Sequence, residues 1–175
     1  RFESQAALAA RLGAHRVFGL AEPAEMVEVL AEWSGGILRP PMEGFEALPM
    51  CFPGFIDVAY DTIGKPETFE VESRVLAARG TLVKSGVHAP DRWEWTPLYF
   101  KELRMVGSNA FGVEEVRGVR RHGIEHYLDL AASGEIDLSG MVTHEFGLSE
   151  WQQAFAALGD QATSGAIKVV LDPSR

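Results

Sequence analysis

Apolar residues along the chain switch between helical and strand spacing. In "RFESQAALAARLGA", Leu8 and Leu12 sit one turn apart among alanines, and Gly13 follows where a left-handed cap would end a helix. "HRVF" predicts a short strand at Val17 and Phe18. Pro23 suits a first helical turn, and Met26, Leu30 and Trp33 recur at helical spacing until Gly35-Gly36. "ILRPPMEGFEALPMCFPG" has no clear period and is rich in proline and glycine, so it reads as a loop. It runs into "FIDVAYDTIG", where Phe55 to Tyr60 form the mostly apolar run expected of a strand covered on both faces.

Pro66 to Ala78 predicts a helix ending at Gly80, followed by strands in "TLVKSGV" and "LRMVGS". A longer helix is expected from about Glu114 to Ala132, stopped at Gly134. In the tail, "VTHEF" and "GAIKVVLD" predict strands around a helix. Ser149 with Gln152 forms a capping box there, and Trp151, Ala154, Phe155 and Leu158 make an apolar stripe. Strand, helix, strand, crossover, strand is the rhythm of a parallel sheet, so the fold class is α/β. No internal repeat and no low-complexity segment interrupts it.

With 175 residues the chain can enclose one good core and part of another. A net charge of -9 argues against a nucleic-acid partner, which needs a clustered basic face. Arg117, Arg120 and Arg121 do gather, but Glu114, Glu115 and Glu125 surround them, as on a solvated helix face. Cys51 is the only cysteine, so an intrachain disulfide and a multi-cysteine zinc cage are excluded. No apolar run is long enough to cross a bilayer and no signal peptide is visible, which makes a cytoplasmic setting, away from membranes, the expectation.

Three local patterns invite a chemical reading. "HGIEH", His122 to His126, matches the H-x-x-E-H of inverted zinc proteases, in which two histidines share a helix face. Gly123 weakens such a helix and no third ligand is evident, so the match is read as chance. His144 on a strand reads as structural, and Cys51 has no histidine placed beside it to make a nucleophile. No G-x-S-x-G, P-loop or G-x-G-x-x-G occurs.

Taken in order, "AARLGAHRVF", "FIDVAYDTIG", "VLAARGTLVKSGV", "PLYFKELRMVGS" and "VTHEFGLSEWQQAFAAL…SGAIKVVLD" resemble the C-terminal half of a zinc-type medium-chain alcohol dehydrogenase, the family of sorbitol and threonine dehydrogenases. The resemblance covers nearly the whole chain. It implies an incomplete Rossmann-type parallel sheet over residues 1–132, without its first two strands and glycine-rich turn. A strand-helix-strand segment, 133–175, would follow and pack with the catalytic domain. Arg1 would lie just after the second Rossmann strand, with the glycine-rich turn and the zinc ligands upstream.

The resemblance also implies NAD(P) as cofactor, zinc in the intact enzyme with ligands outside these residues, and an alcohol or carbonyl substrate. Ligands of open α/β sheets bind beyond the C-terminal strand ends. By resemblance, Thr62, Ile63 and Gly64 would line the adenosine side, while Gly86, Val87, Asn109 and Ala110 would approach the nicotinamide. Small residues there let backbone groups reach a flat amide. Lys168 matches a basic position near the pyrophosphate, and Arg1 could accommodate the extra phosphate of NADP. No catalytic residue and no metal ligand is expected in this chain. The strand "LRMVGS" would form a sheet edge that pairs with its twin, giving a homodimer or tetramer.

Two other classes compete: a catalytically inactive Rossmann-like binding or dimerisation module, and an unrelated doubly wound enzyme such as a methyltransferase. The family strand order, 3-2-1-4-5-6, also raises a packing problem. Two strands would separate the Val17 strand from the Ile56 strand, a gap of roughly 14 Å at about 4.8 Å per strand. The chain alone is therefore not expected to pair them.

Overall fold

A helix with apolar residues on one stripe has to bury that stripe, and two helices of this chain do so against each other. The computed structural model describes residues 2–19, 21–41, 47–88, 92–109 and 111–175. They fall into two compact units, Ala21–Gly123 and a second made of Arg1–Leu20 with Ile124–Arg175. The first helix, α1 (Glu3–Arg11), belongs to the second unit.

The Ala21–Gly123 unit begins with α2 (Pro23–Ser34), which has proline in its first turn and Gly35 in the left-handed conformation at its end. Two short strands, β1 (Leu38–Arg39) and β2 (Met50–Cys51), pair antiparallel. Then come β3 (Ile56–Asp61), α3 (Pro66–Val75), β4 (Leu76–Lys84), α4 (Thr96–Phe100) and β5 (Arg104–Gly107). The three long strands form a parallel sheet in the order β3-β4-β5. Val27 of α2 packs with Val71 and Val75 of α3. Phe69, Leu76 and Leu82 form a second cluster between α3 and the sheet, with Ile56, Ala59, Trp93 and Leu103 against it.

A hairpin of β6 (Val113–Val116) and β7 (Val119–His122) ends this unit. In the other unit, α5 (Gly123–Ala132) leads to β8 (Val142–Gly147), α6 (Trp151–Gly159), α7 (Gln161–Ser164) and β9 (Lys168–Asp172). There β8 and β9 pair parallel, as a strand-helix-strand unit requires.

Several expectations need correction. Val17 and Phe18 form no strand: Val17 is exposed, and residues 16–19 take part in no described ladder. A two-residue apolar run has nothing to hold it extended without a neighbour to pair with. The long helix expected from Glu114 is instead the β6–β7 hairpin followed by α5. Arg117 and Gly118 both have positive φ, 53° and 77°, which is the two-residue turn that matches strand twist. Glu114 faces Arg121 and Glu115 faces Arg120 across the ladder, so charges that suit a solvated helix face are cross-strand pairs.

The helix expected to reach Ala78 stops at Val75, and β4 starts at once. The capping bond sits on the single 3-10 turn Leu148–Glu150 ahead of α6, where Glu150 Oε2 accepts the Gly147 amide at 2.8 Å, and Ser149 makes no cap bond. The apolar stripe of α6 buries only Ala154, while Trp151 and Phe155 are exposed. By contacts the chain divides at 123/124, with the first twenty residues grouping with the tail.

Candidate dinucleotide-binding rim

Parallel pairing brings the three strand tips level. Asp61 of β3 is the register partner of Lys84 of β4, and Lys84 is the partner of Gly107 of β5. The chain therefore leaves the sheet at one height in three neighbouring turns, 62–64, 85–87 and 108–109. A cavity of about 940 Å³ opens at these tips. Gly64, Gly86, Val87 and Asn109 line it, with an apolar wall that includes Phe69, Trp93 and Met105 and with cationic Lys65 and Lys84. Phe69 and Trp93 pack ring against ring, with centroids 5.0 Å apart.

The turns meet so closely that two glycines are obligatory. Gly64 has φ +85°, and a Cβ there would stand 2.5 Å from the Gly86 carbonyl oxygen. A Cβ on Gly86 would collide with the backbone of Thr62 and Ile63. Both glycines therefore serve the approach of one turn to the other before they serve any ligand. Gly86→Ala is expected to cost about 1–3 kcal/mol of stability, the penalty of overpacking. Gly107→Ala, where nothing lies within 4 Å of the added carbon, should change it by under about 0.5 kcal/mol. Urea denaturation of the pair checks this.

Asp61 organises the rim, and the sequence reading missed it. Although only 1% exposed, it is fully partnered. Oδ1 accepts the amides of Ile63 (3.0 Å) and Gly64 (2.7 Å) and the Thr68 hydroxyl (3.2 Å), and Oδ2 accepts Lys84 Nζ (2.7 Å). Burial pushes its carboxyl up, but the Lys84 hydrogen bond and the Gly64 and Ile63 amides outweigh it and hold the group below the usual carboxylate range. The available signal was "YDTIG": an aspartate ending an apolar strand, two residues before an isoleucine-glycine turn, is the start of an Asx turn. Glu72, one helical turn beyond Thr68, lies near the same pair; its Oε2 is buried without a hydrogen-bond partner among the described residues.

The other sequence-predicted positions divide clearly. Thr62 and Ile63 are in the first turn and exposed, but they do not line the cavity. Lys168 is the exposed first residue of β9 in the other unit. Arg1 and Ala110 lie outside the described residues. In "HGIEH", His122 ends β7 and α5 starts at Gly123, so the two histidines are not one turn apart on a single helix. Cys51 is buried, and burial raises its thiol despite Lys101 nearby, which suits a packed side chain and not a nucleophile. His144 Nδ1 lies 3.0 Å from Thr143 Oγ1, and its ring stacks on Phe146. Among the described residues no three His, Cys, Asp or Glu side chains cluster to hold a metal.

The sequence model of the zinc-binding dehydrogenase family matches residues 1–125. The chain belongs to this family. An alcohol dehydrogenase of Cupriavidus necator is 25% identical over 118 residues, 67% of this chain and 31% of the relative. The dehydrogenase chain thus spans about a third of the curated relative it matches. Among solved structures, zinc-dependent alcohol dehydrogenase 2 from Streptococcus pneumonia has TM-score 0.70 at 20% identity, over 97% of this chain and 42% of that one. A zinc-binding dehydrogenase from Sinorhizobium meliloti 1021, bound to NADP, has TM-score 0.64 at 24% identity, over 99% and 43%. These likenesses establish the Rossmann-type α/β fold of this dehydrogenase chain.

Proposed function

We propose that this chain supplies the nicotinamide-side wall of an NAD(P) site in a zinc-dependent alcohol or polyol dehydrogenase. The observation carrying the reading is the cavity at the level C-terminal tips of β3, β4 and β5, the place where open parallel sheets bind nucleotides. The residues present fit such a group. The cavity lies within the range of about 300–1,000 Å³ usual for ligand pockets. Its Phe69, Trp93 and Met105 wall suits a flat ring, and Lys65 and Lys84 suit an anionic bridge. When bound, the dinucleotide supplies the hydride acceptor or donor, and the oxidised substrate is an alcohol, the reduced one a carbonyl.

This chain's residues bind and orient. Gly64 and Gly86 bring two backbone turns together, Val87 and Asn109 line the same cavity, and the aromatic wall excludes water from one side. Thr62 and Ile63 join the rim by their place in the first turn, while Ala110 enters by resemblance alone, as do Arg1 and Lys168 as phosphate partners. The zinc ligands belong to parts of the enzyme beyond these described residues, and 133–175 packs against that catalytic domain. The edge strand β5 pairs with a second copy, and the setting is cytoplasmic.

Titration with NADH and with NADPH, followed by quenching of Trp93 and its neighbours, tests the reading on the full-length gene product and on this chain. Saturable quenching by either nucleotide is the expected result. If the full-length protein binds neither up to millimolar concentration, the proposal fails.

A further inference from the structure

An acidic side chain that is 1% exposed needs a reason to be there, since burying a carboxylate is costly unless every oxygen is engaged. Asp61 meets that demand by engaging two turns at once. Its carboxylate holds the turn after β3 through the Ile63 and Gly64 amides. Its backbone carbonyl accepts the amides of Ser85 and Gly86, both at 2.9 Å, and so holds the turn after β4. Lys84 closes the arrangement from the second strand with its ammonium on Oδ2. Thr68, one turn into α3, adds its hydroxyl on Oδ1 and ties the helix start to the same atom. Neither turn can shift without disturbing this one residue, and Gly64 and Gly86 are already in backbone contact.

Resting on the functional reading above, we propose that Asp61 is the positioning residue of the dinucleotide rim. It fixes the 62–64 turn through its carboxylate and the 85–86 turn through its carbonyl, with Lys84 orienting the carboxylate, so that the two turns present their backbone to the nucleotide as one rigid piece. Asp61 itself touches no ligand in this scheme. Lys84, 27% exposed and lining the cavity, is where the clamp meets bound nucleotide.

Asp61→Asn keeps the shape and an acceptor for the amides, but turns an NH2 towards the Lys84 ammonium, donor against donor. In the full-length protein the dissociation constant for the nucleotide should rise roughly tenfold or more, in line with loss of a charge-assisted bond. Lys84→Glu should weaken binding too, by facing two carboxylates. The double variant Asp61→Asn/Lys84→Glu restores a donor-acceptor pair and should recover the order of both turns but not the affinity, because its new carboxylate faces the nucleotide's anionic bridge. Leu82→Val is the control, thinning the core below β4 without touching the rim.

Hydrogen exchange read by mass spectrometry supplies the direct measure. Peptides spanning 60–65 and 83–88 should both lose protection in Asp61→Asn and regain it in the double variant, whereas Leu82→Val should leave them as in the parent. If Asp61→Asn accelerates only the first peptide, or its nucleotide affinity falls no further than that of Leu82→Val at equal loss of Tm, the positioning role is overturned. A parent protein that binds neither NADH nor NADPH would sink the functional reading instead, and the two peptides would still decide whether Asp61 joins the turns. Should Asp61→Asn not fold, Lys84→Met carries the test: it keeps the amide bonds, frees Oδ2, and should loosen both peptides to an intermediate degree. Parent-like exchange in both peptides there overturns the proposal.

Discussion

Truncating Lys101 to alanine is expected to destabilise the Ala21–Gly123 unit by about 3–5 kcal/mol, from two carbonyls left unpaired and the lost packing of a buried stem. Lys101 is fully buried, and its Nζ donates to the carbonyls of Arg74 (2.5 Å) and Leu76 (2.7 Å). These acceptors lie at the junction where α3 becomes β4 with no glycine between them, and Leu76 leaves the helix already extended, at φ -58° and ψ 145°. A side chain 25 residues further on therefore acts as the C-cap. Lys101→Met restores most of the packing but no donor, so it should stay below the parent by about 1–3 kcal/mol for the carbonyls left unpaired. Urea denaturation of parent, Lys101→Ala and Lys101→Met checks the order. A Lys101→Met protein as stable as the parent would refute the capping role.

The same lysine has a pH signature. Burial pulls its pKa down to about 8, opposed by nearby Cys51 and assisted by Arg74. Between about 8 and the ordinary lysine value the unfolded chain binds more protons than the native one. The Lys101 contribution to stability should therefore rise with pH across that window.

Replacing Glu72 with glutamine should stabilise the protein at pH 8 and leave it nearly unchanged at pH 4. Burial, with Asp61 adding repulsion and Lys84 partly offsetting both, pushes the Glu72 carboxyl up to about 8 from 4.5. Between these values the native state holds a proton that the unfolded chain has released, so stability falls as pH rises. The neutral form is favoured because Oε2 is buried without a described partner and Asp61 already takes the Lys84 ammonium. Every tenfold change in proton affinity is worth about 1.4 kcal/mol, and solvent screening of a half-buried group trims the total to roughly 2–4 kcal/mol. Denaturation midpoints of parent and Glu72→Gln from pH 4.5 to 8 should diverge steadily. Parallel curves would show that Glu72 is ionised throughout, paired in a way the fold does not display.

Much of the rim is legible without coordinates. "FIDVAYDTIG", "TLVKSGV" and "LRMVGS" read as strands because apolar runs bounded by glycine have few other uses, and their tips do converge on one cavity. Gly64 and Gly86 stand out as small residues at strand ends. What spacing cannot convey is why they are small: each gives way to the other turn's backbone, a contact across more than twenty residues. Asp61 escapes a one-dimensional reading because an acid at a strand end looks exposed there. Lys84 looks like an ordinary polar position on a strand, although parallel register sets it beside Asp61.

The misread segments share a cause. Glu114 to Arg121 carries charges at spacings that suit a helix as well as a hairpin, and the decision falls to Arg117-Gly118, where two positive φ angles turn the chain back. Val17 and Phe18 have strand-forming side chains but lie in no described strand. Helix α3 is expected from its pattern to run on to a glycine, yet a distant lysine ends it at Val75.

The α/β class, the order of the sheet-forming segments and the family follow from the residues read in a line, since periodicity, turn chemistry and ordered motifs are local properties written one residue after another. Which polar groups are satisfied depends on the folded chain alone. Only when β3 and β4 lie side by side does Asp61 meet Lys84, and only the fold of α4 brings Lys101 under the end of α3. Hydrogen bonds and ion pairs fall off within a few ångströms, so partners separated by tens of residues exist only once the backbone has placed them.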